Sequence, residues 1–120
     1  MPSKFEPCGL SQMIACRYGT PPIVSLTGGL ADTIRDADAN ENGNGFTFPA
    51  PVTMNDLEWQ PAATAGLAHA IERALRAFGD RPRYVAIRRR AMRSDFSWDR
   101  SAREYEAVYA ECVRREAANS

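Results

Sequence analysis

The sequence predicts an α/β fold with short parallel strands, about five helices and a helix-rich C-terminal half. Three observations support this class. Residues 9–37 follow the order helix, strand, glycine turn, helix. The strand in this series, within residues 20–26, is a continuous apolar run, which is typical of a strand buried on both faces of a parallel sheet. Residues 61–112 contain three segments of helical periodicity and no strand pattern.

The first predicted helix covers residues 9–18. Its helical spacing is carried by four residues, Leu10, Met13, Ile14 and Arg17. Gly19 then ends the helix as a C-terminal glycine does. After the strand, a second short helix is predicted over residues 30–37. The Asn, Asp and Gly content of residues 36–45 is typical of an exposed loop.

The middle of the chain carries the second strand and the longest helix. The strand is predicted at residues 45–48, where two phenylalanines share one face. Residues 49–61 are predicted to form a loop, because three prolines interrupt them. A helix then begins at Pro61 and ends at Gly79, with an apolar stripe formed by Leu67, Ile71, Leu75 and Phe78.

Two more helices complete the prediction. Asp80 is expected to cap the first, which has Pro82 in its first turn and an apolar face of Tyr84, Ile87 and Ala91. Ser97 is expected to cap the second, whose apolar residues are Trp98, Ala102, Tyr105, Tyr109 and Cys112. The simplest expectation places the aromatic residues of this last helix in the core, although part of the stripe could face a partner outside the chain.

Composition excludes several classes of function. Fifteen basic side chains balance fifteen acidic ones, so no overall field favours nucleic acid or a membrane surface as a partner. Three cysteines without a CxxC spacing and one histidine make a poor metal set. We therefore expect no metal, reduced thiols and a cytoplasmic location. The chain also lacks an apolar run of membrane-spanning length.

The segment from Glu6 to Ser11 places a carboxylate just before a helix. If this helix begins at Gly9, the amides of Gly9, Leu10 and Ser11 have no partner within it. Such amides suit a phosphate or a row of sugar hydroxyls, and Gly9 would let a ligand approach the backbone closely. Glu6 could accept hydrogen bonds from the same ligand. On the pattern alone, an ordinary loop–helix junction with a solvated Glu6 is the alternative.

Three motifs resemble those of one enzyme family. Residues 2–12, PSKFEPCGLSQ, resemble the stretch P-S-R-F-E-P-C-G-L-T/N-Q of bacterial glycogen synthases and plant starch synthases. Residues 17–34 resemble their R-Y-G-T-x-P-I/V-V and T-G-G-L-x-D-T-V motifs. Residues 91–109 resemble A-M-x-x-D-F-S-W followed by A-x-x-Y-x-x-L-Y. The motifs keep the family's order, so the resemblance spans nearly the whole chain and departs from the family mainly at residues 49–61.

The resemblance implies a GT-B arrangement, in which two Rossmann-type domains face each other across a cleft. Residues 1–120 would be the C-terminal part of the nucleotide-sugar-binding domain, a partial Rossmann-like half-domain, with the N-terminal domain absent. Met1 matches an internal methionine of the family, so we expect a piece of a longer enzyme. The missing strands would leave a sheet edge and apolar faces exposed, which predicts association or marginal stability.

The resemblance also implies an activity, the retaining transfer of glucose from ADP-glucose to the non-reducing end of an α-1,4-glucan. ADP-glucose and the glucan are then the partners, no cofactor is required, and the preference for ADP over UDP rests on the resemblance alone. The isolated chain is expected to be inactive, because the family's phosphate-gripping basic residues and acceptor-binding domain lie upstream of this stretch. The alternative is a standalone, non-catalytic module that binds sugar nucleotides or a partner.

The family's functional residues can be placed on this sequence. Glu6 is implied to be the catalytic carboxylate that contacts the transferred glucose. The amides of Cys8 and Gly9 are implied to hold glucose hydroxyls. Those of Leu10 and Ser11 are implied to hold the diphosphate.

Thr27, Gly28 and Gly29 form the turn between the first strand and the second helix. In an open α/β sheet such a turn lies at the ligand-binding edge, and in the family it borders the donor site. The sequence leaves open whether these residues contact the donor or only form a tight turn.

Overall fold

The computed structural model describes residues 1–49 and 56–118. Within those residues the chain forms five helices and two strands, so the predicted α/β class is confirmed. Residues 50–55, which belong to the loop predicted at 49–61, lie outside the described residues. In chain order the elements are α1 (Ser11–Arg17), β1 (Ile23–Leu26), α2 (Gly28–Thr33), β2 (Phe46–Pro49), α3 (Asp56–Gly79), α4 (Arg81–Arg93) and α5 (Trp98–Ala118).

The two strands form a parallel pair, as the continuous apolar run predicts. Ile23 lies opposite Phe46, and the register continues to the end of both strands. Val24, Phe46 and Phe48 are buried, because α3 packs against both strands and α2 packs against β1. The sheet therefore has its main apolar core between the strands and these helices.

The outer edge of β2 is capped by side chains at Thr47. The amide of Thr47 donates to Asp36 at 2.7 Å, and its carbonyl accepts from Arg73. Arg73 also pairs with Asp36 at 2.8 Å. Burial raises the pKa of Asp36, but hydrogen bonds from Arg73, Thr47 and the Asp38 amide outweigh it and lower the pKa to about 2. This ion pair replaces a neighbouring strand at that point.

The boundaries of α1 and α2 differ from the predicted ones. α1 begins at Ser11 rather than at Gly9, because Gly9 has a φ of 69°, a left-handed conformation that does not start a right-handed helix. α2 begins at Gly28 and ends at Thr33, since Ile34 is extended and leads into a bridge between Asp36 and Gly45. The predicted glycine at the end of α1 is confirmed, with Gly19 at a φ of 70°.

α3 differs from its prediction in both its start and its buried face. It begins at Asp56, and Pro61 lies inside it, where proline has no N–H to donate to the carbonyl four residues earlier. The predicted stripe of large apolar residues does not face the core, since Leu75 and Phe78 are 64% and 65% exposed. Small residues form the buried face instead, and they let the helix approach the strands closely: Ala63, Ala70 and Ala77.

The last two helices follow their predicted capping signals, with different packing. Asp80 accepts a hydrogen bond from the Arg83 amide, and Ser97 accepts one from the Arg100 amide. α4 buries Ile87 and Ala91 as predicted. By contrast, α5 packs against no other helix or strand that the structure describes.

The prediction that the aromatic residues of α5 lie in the core is wrong within the described chain. Trp98, Tyr105 and Tyr109 are 87%, 62% and 65% exposed. Their helical spacing is real, but nothing in residues 1–49 or 56–118 covers the face that it forms. No described helix is long and apolar enough to cross a membrane.

Candidate functional site

The two segments that the sequence singles out pack together as one unit. The amide of Gly29 donates to the carbonyl of Glu6 at 2.9 Å, and the hydroxyl of Thr27 donates to the carbonyl of Lys4 at 3.4 Å. A Cβ on Gly28 would lie 2.1 Å from the Glu6 carbonyl oxygen, and one on Gly29 would lie 2.2 Å from that of Cys8. The Glu6 loop therefore rests directly on the glycine turn.

This unit lies where an open α/β sheet usually binds ligands. The turn of Thr27, Gly28 and Gly29 follows the last residue of β1. β2 runs parallel to β1, so both strands end at the same edge. Loops at the carboxyl ends of parallel strands form the usual ligand-binding crevice of such sheets.

A fully buried glutamine, Gln12, holds the Glu6 loop from beneath. Its Nε2 lies within hydrogen-bond distance of three acceptors, which share its two hydrogens: the carbonyls of Cys8 at 3.1 Å and Gly9 at 3.0 Å, and the hydroxyl of Thr33 at 3.2 Å. The hydroxyl of Thr33 donates in turn to the carbonyl of Gly29 at 2.6 Å. One side-chain amide thus links both predicted segments through α2.

Sequence reasoning assigns no role to Gln12. A signal for it exists in the spacing of α1, where Gln12 and Cys16 are four residues apart and both are buried. A glutamine on the buried side of a short helix needs hydrogen-bond partners. In this chain the partners are the carbonyls of the preceding loop.

The orientation of these carbonyls decides where the loop amides point. Across a planar trans peptide, the carbonyl of one residue and the amide of the next point in opposite directions. Because the carbonyls of Cys8 and Gly9 point toward Gln12, the amides of Gly9 and Leu10 point away from it. No hydrogen-bond partner for these two amides, or for those of Cys8 and Ser11, occurs among the described residues.

These donors are individual loop amides rather than the end of a long helix. α1 has seven residues, its N-cap Leu10 makes no side-chain capping bond, and Gly9 lies outside it. The expectation that Gly9 begins the helix is therefore wrong. The amides of the segment are nevertheless free of partners in the described structure, as the sequence predicts.

The glycines serve the packing of the loop rather than the approach of a ligand. A Cβ on Gly9 would lie 2.7 Å from the Oε1 of Gln12, on the inner side of the loop. The expectation that Gly9 opens the backbone to a ligand therefore receives no support from this geometry. The amide of Gly29 is already bonded to Glu6, which favours the tight-turn alternative for that residue.

Glu6 is fixed through its backbone and leaves its carboxylate available. Its carbonyl accepts the Gly29 bond, and its side chain is half-buried without a bonded partner in the described part of the chain. A carboxylate held in this way accepts hydrogen bonds from hydroxyl donors. The Glu6 loop therefore offers an acceptor at Glu6 and donors at the four amides from Cys8 to Ser11.

Other candidate groups lie elsewhere. Arg88 and Arg90 of α4 donate to the carbonyls of Gly19 and Gly43, so they do not reach the Glu6 loop. Among the described residues, no three His, Cys, Asp or Glu side chains could together hold a metal ion. The expectation that no metal is needed stays a prediction.

Comparisons with known proteins show the family of the chain. Residues 1–105 match the family model described as "GT4-conflict: Family 4 Glycosyltransferase in conflict systems". The glycogen synthase of Halorhodospira halophila is 47% identical over 114 residues, which cover 94% of this chain and 22% of that protein. Glycogen synthase 2 of Geobacter metallireducens is 49% identical over 114 residues, with coverage of 94% and 21%.

A solved structure is similar over the same range. The catalytic domain of starch synthase IV from Arabidopsis thaliana, bound to ADP and acarbose, shares 39% identity with a TM-score of 0.67. The match covers 94% of this chain and 22% of that one. The chain thus spans about a fifth of the length of the curated relatives that it matches.

The fold and these matches together define the class of GT-B glycosyltransferases. The chain belongs to the family 4 glycosyltransferases of the conflict-system type. Its resemblance to glycogen and starch synthases, predicted from the three motifs, is confirmed over nearly its whole length.

Proposed function

We propose that this chain forms part of the donor site of a retaining glucosyltransferase, which moves glucose from ADP-glucose to the non-reducing end of an α-1,4-glucan. The proposal rests above all on the four amides of Cys8, Gly9, Leu10 and Ser11, which lie beside Glu6 without partners in the described structure. A nucleotide sugar carries a diphosphate and several hydroxyls, the chemistry that such donors and a carboxylate bind.

Within this proposal the amides of Leu10 and Ser11 hold the diphosphate, and those of Cys8 and Gly9 hold glucose hydroxyls. Negative charge grows on the diphosphate as it leaves, and preset amide donors stabilise that charge without reorganising. Glu6 accepts hydrogen bonds from the glucose and offsets the positive charge of an oxocarbenium-like transition state.

Thr27, Gly28 and Gly29 have a supporting role in the proposed site. Gly28 and Gly29 lack the Cβ atoms that would displace Glu6 and Cys8. The turn therefore positions the loop and borders the donor, and the Gly29 amide bonds the loop rather than the ligand.

The identity of the nucleotide and the cellular location are also part of the proposal. ADP as the nucleotide is supported by the similar starch synthase structure, which is bound to ADP. Residues 1–120 would correspond to the C-terminal part of the nucleotide-sugar-binding domain, which agrees with their coverage of about a fifth of the relatives. Three unpaired cysteines are compatible with a reducing, cytoplasmic location.

We expect the 120-residue chain alone to bind the donor weakly and not to catalyse transfer. The proposed site offers a carboxylate and amides, whereas Arg88 and Arg90 of α4 are bonded to the carbonyls of Gly19 and Gly43. Incorporation of glucose into glycogen, after incubation of the protein with ADP-glucose and glycogen, would contradict this expectation.

The role of Glu6 can be tested by comparing two ligands. Titration calorimetry with ADP-glucose and with ADP measures the affinity that the glucose adds. Because Glu6 is proposed to contact only the glucose, Glu6→Gln should weaken ADP-glucose binding about tenfold and leave ADP binding unchanged. Glu41→Gln, in the exposed 36–45 loop, is the matched control and should change neither. An equal loss for both ligands would contradict the assignment of Glu6 to the sugar.

A further inference from the structure

A polar cavity is present that no residue of the Glu6 loop lines. Its volume is about 610 Å³, and its walls come from the end of α2, the 36–45 loop, the end of α4 and the beginning of α5. None of the eight predicted site residues lines it. Cavities of this volume are typical of small-molecule sites.

One buried asparagine, Asn44, ties the walls of this cavity together. Its Oδ1 accepts from the amide of Arg35 at 2.8 Å, and its Nδ2 donates to the carbonyl of Thr33 at 3.1 Å and to the hydroxyl of Ser94 at 2.9 Å. The Ser94 hydroxyl donates to the carbonyl of Arg90 at 3.1 Å. The backbone next to Arg35 and that at the end of α4 are therefore fixed relative to each other.

Four arginines line the cavity, and their hydrogen bonds differ. Arg100 is paired with Glu104 at 3.0 Å, and Arg90 donates from its Nε to the Gly43 carbonyl at 2.7 Å. The guanidinium groups of Arg35 and Arg93 have no hydrogen-bond or ion-pair partner within residues 1–49 and 56–118. The two terminal nitrogens of Arg90 also have none there.

The carboxylates in the cavity wall do not balance these cations. Glu104 is bonded to Arg100, and Asp95 accepts from the Ser97 amide at 2.9 Å. Only Asp32, among the acidic residues that line the cavity, has no bonded partner in the described chain. The lining thus has four arginines against three carboxylates, which leaves a net charge of about +1.

We propose that this cavity binds the phosphate group of a small soluble molecule, held chiefly by Arg35 and Arg93. Planar guanidinium groups donate paired hydrogen bonds to phosphate oxygens, and the hydroxyls of Ser97 and Ser101 can add further donors. The cavity is large enough for a phosphate ester as well as for the free ion. This site is separate from the proposed donor site and does not depend on it.

Nuclear magnetic resonance tests this proposal on the 120-residue chain. Inorganic phosphate and glycerol 2-phosphate are titrated at constant ionic strength, with chloride as the balancing anion. The proposal predicts saturable shifts with at least one probe. They should appear at the backbone amides of Ser94 and Ser97 and at the side-chain amide of Asn44. The probe that binds more tightly identifies the source of the phosphate group as the free ion or an ester.

Matched variants separate the arginines of the cavity from general charge effects. Arg35→Gln and Arg93→Gln should each weaken binding about tenfold, whereas Arg89→Gln, on the same helix as Arg93 but outside the cavity, should not. Arg93→Lys keeps the charge and should retain measurable binding, and well-dispersed spectra check that each variant folds. Three results would overturn the proposal. They are shifts that do not saturate by roughly 10 mM, an equal loss of binding in Arg89→Gln, and shifts confined to Cys8 to Ser11.

Discussion

The Nε2 of Gln12 lies 3.2 Å from the Oγ1 of Thr33, and this hydrogen bond joins α1 to α2 beneath the Glu6 loop. The same nitrogen bonds the carbonyls of Cys8 and Gly9. The loop conformation is therefore set from below by a side chain that is 0% exposed. This arrangement turns the loop amides outward and leaves them available to a ligand.

Gln12→Met keeps the length of the side chain but removes the amide nitrogen that donates to Cys8, Gly9 and Thr33. The carbonyls of Cys8 and Gly9 then lose a buried donor, so the free energy of unfolding should fall by about 1 to 3 kcal/mol. Urea denaturation measures this loss, and amide exchange should quicken at Gly29, whose amide bonds the Glu6 carbonyl of the loop. Ser11→Ala, on the same helix, should leave both measurements nearly unchanged. If Ser11→Ala costs as much as Gln12→Met, the effect is not specific to the Gln12 bonds.

Gly29→Ala should displace the Glu6 loop. Its Cβ would lie 2.2 Å from the carbonyl oxygen of Cys8 and 2.7 Å from the Cα of Cys8, so backbone has to move. We expect a loss of about 1 to 3 kcal/mol in the free energy of unfolding and shifted amide resonances from Glu6 to Cys8. Gly79→Ala is the control, because a Cβ there meets nothing within 4 Å. Unshifted Glu6 and Cys8 resonances in Gly29→Ala would contradict the observed packing.

The Asp36–Arg73 pair should make stability depend on pH. Folding lowers the pKa of Asp36 from 3.8 to about 2, so its stabilisation is fully present above 3.8 and is lost as the pH falls through about 2. The contribution is about 2 kcal/mol. Asp36→Asn should lower the free energy of unfolding at about pH 7 by roughly 2 kcal/mol, because Arg73 then keeps only Asp38, at 3.0 Å, as an ionic partner.

The same variant should differ less from the natural chain at about pH 2, where Asp36 is almost fully protonated in the unfolded state and about half protonated in the folded state. Chemical denaturation at the two pH values measures the difference. Asp32→Asn, which removes an exposed carboxylate without a bonded partner in the described chain, is the control. An Asp36→Asn effect of equal size at both pH values would mean that the ionised carboxylate is not the source of the stability.

The three cysteines should react at two different rates. Cys8 and Cys112 are exposed, whereas Cys16 is buried and its burial raises the pKa of its thiol to about 11. Because the thiolate is the reactive form, a disulfide reagent should modify two thiols of the native chain quickly and the third only on unfolding. Cys16→Ala should abolish the slow phase alone. Rapid modification of all three thiols would contradict the burial of Cys16.

Local signals in the sequence predict several elements correctly. The apolar run of β1, the caps Asp80 and Ser97, and the glycine after α1 each act within a few residues of the element that they define. The two candidate site segments, around Glu6 and at the turn of Thr27 to Gly29, are each contiguous in sequence, so local motifs indicate them; their roles stay predictions.

Other features depend on contacts between distant residues and could not be predicted. Helical spacing shows that Leu75 and Phe78 share a face of α3, but only the packed structure shows that the alanine face meets the strands. Gly9 adopts its left-handed conformation over Gln12, which moves the start of α1. The bond from Gln12 to Thr33 spans 21 residues, so no local pattern encodes it.

The central claim is that the outward amides of the Glu6 loop bind a nucleotide sugar. The most direct test is an amide-resolved magnetic resonance spectrum of the chain, recorded with and without millimolar ADP-glucose. Saturable shifts concentrated at Cys8, Gly9, Leu10 and Ser11, with smaller shifts at the Thr27 to Gly29 turn, are the predicted result. A dispersed spectrum in which these amides do not respond to ADP-glucose would contradict the claim.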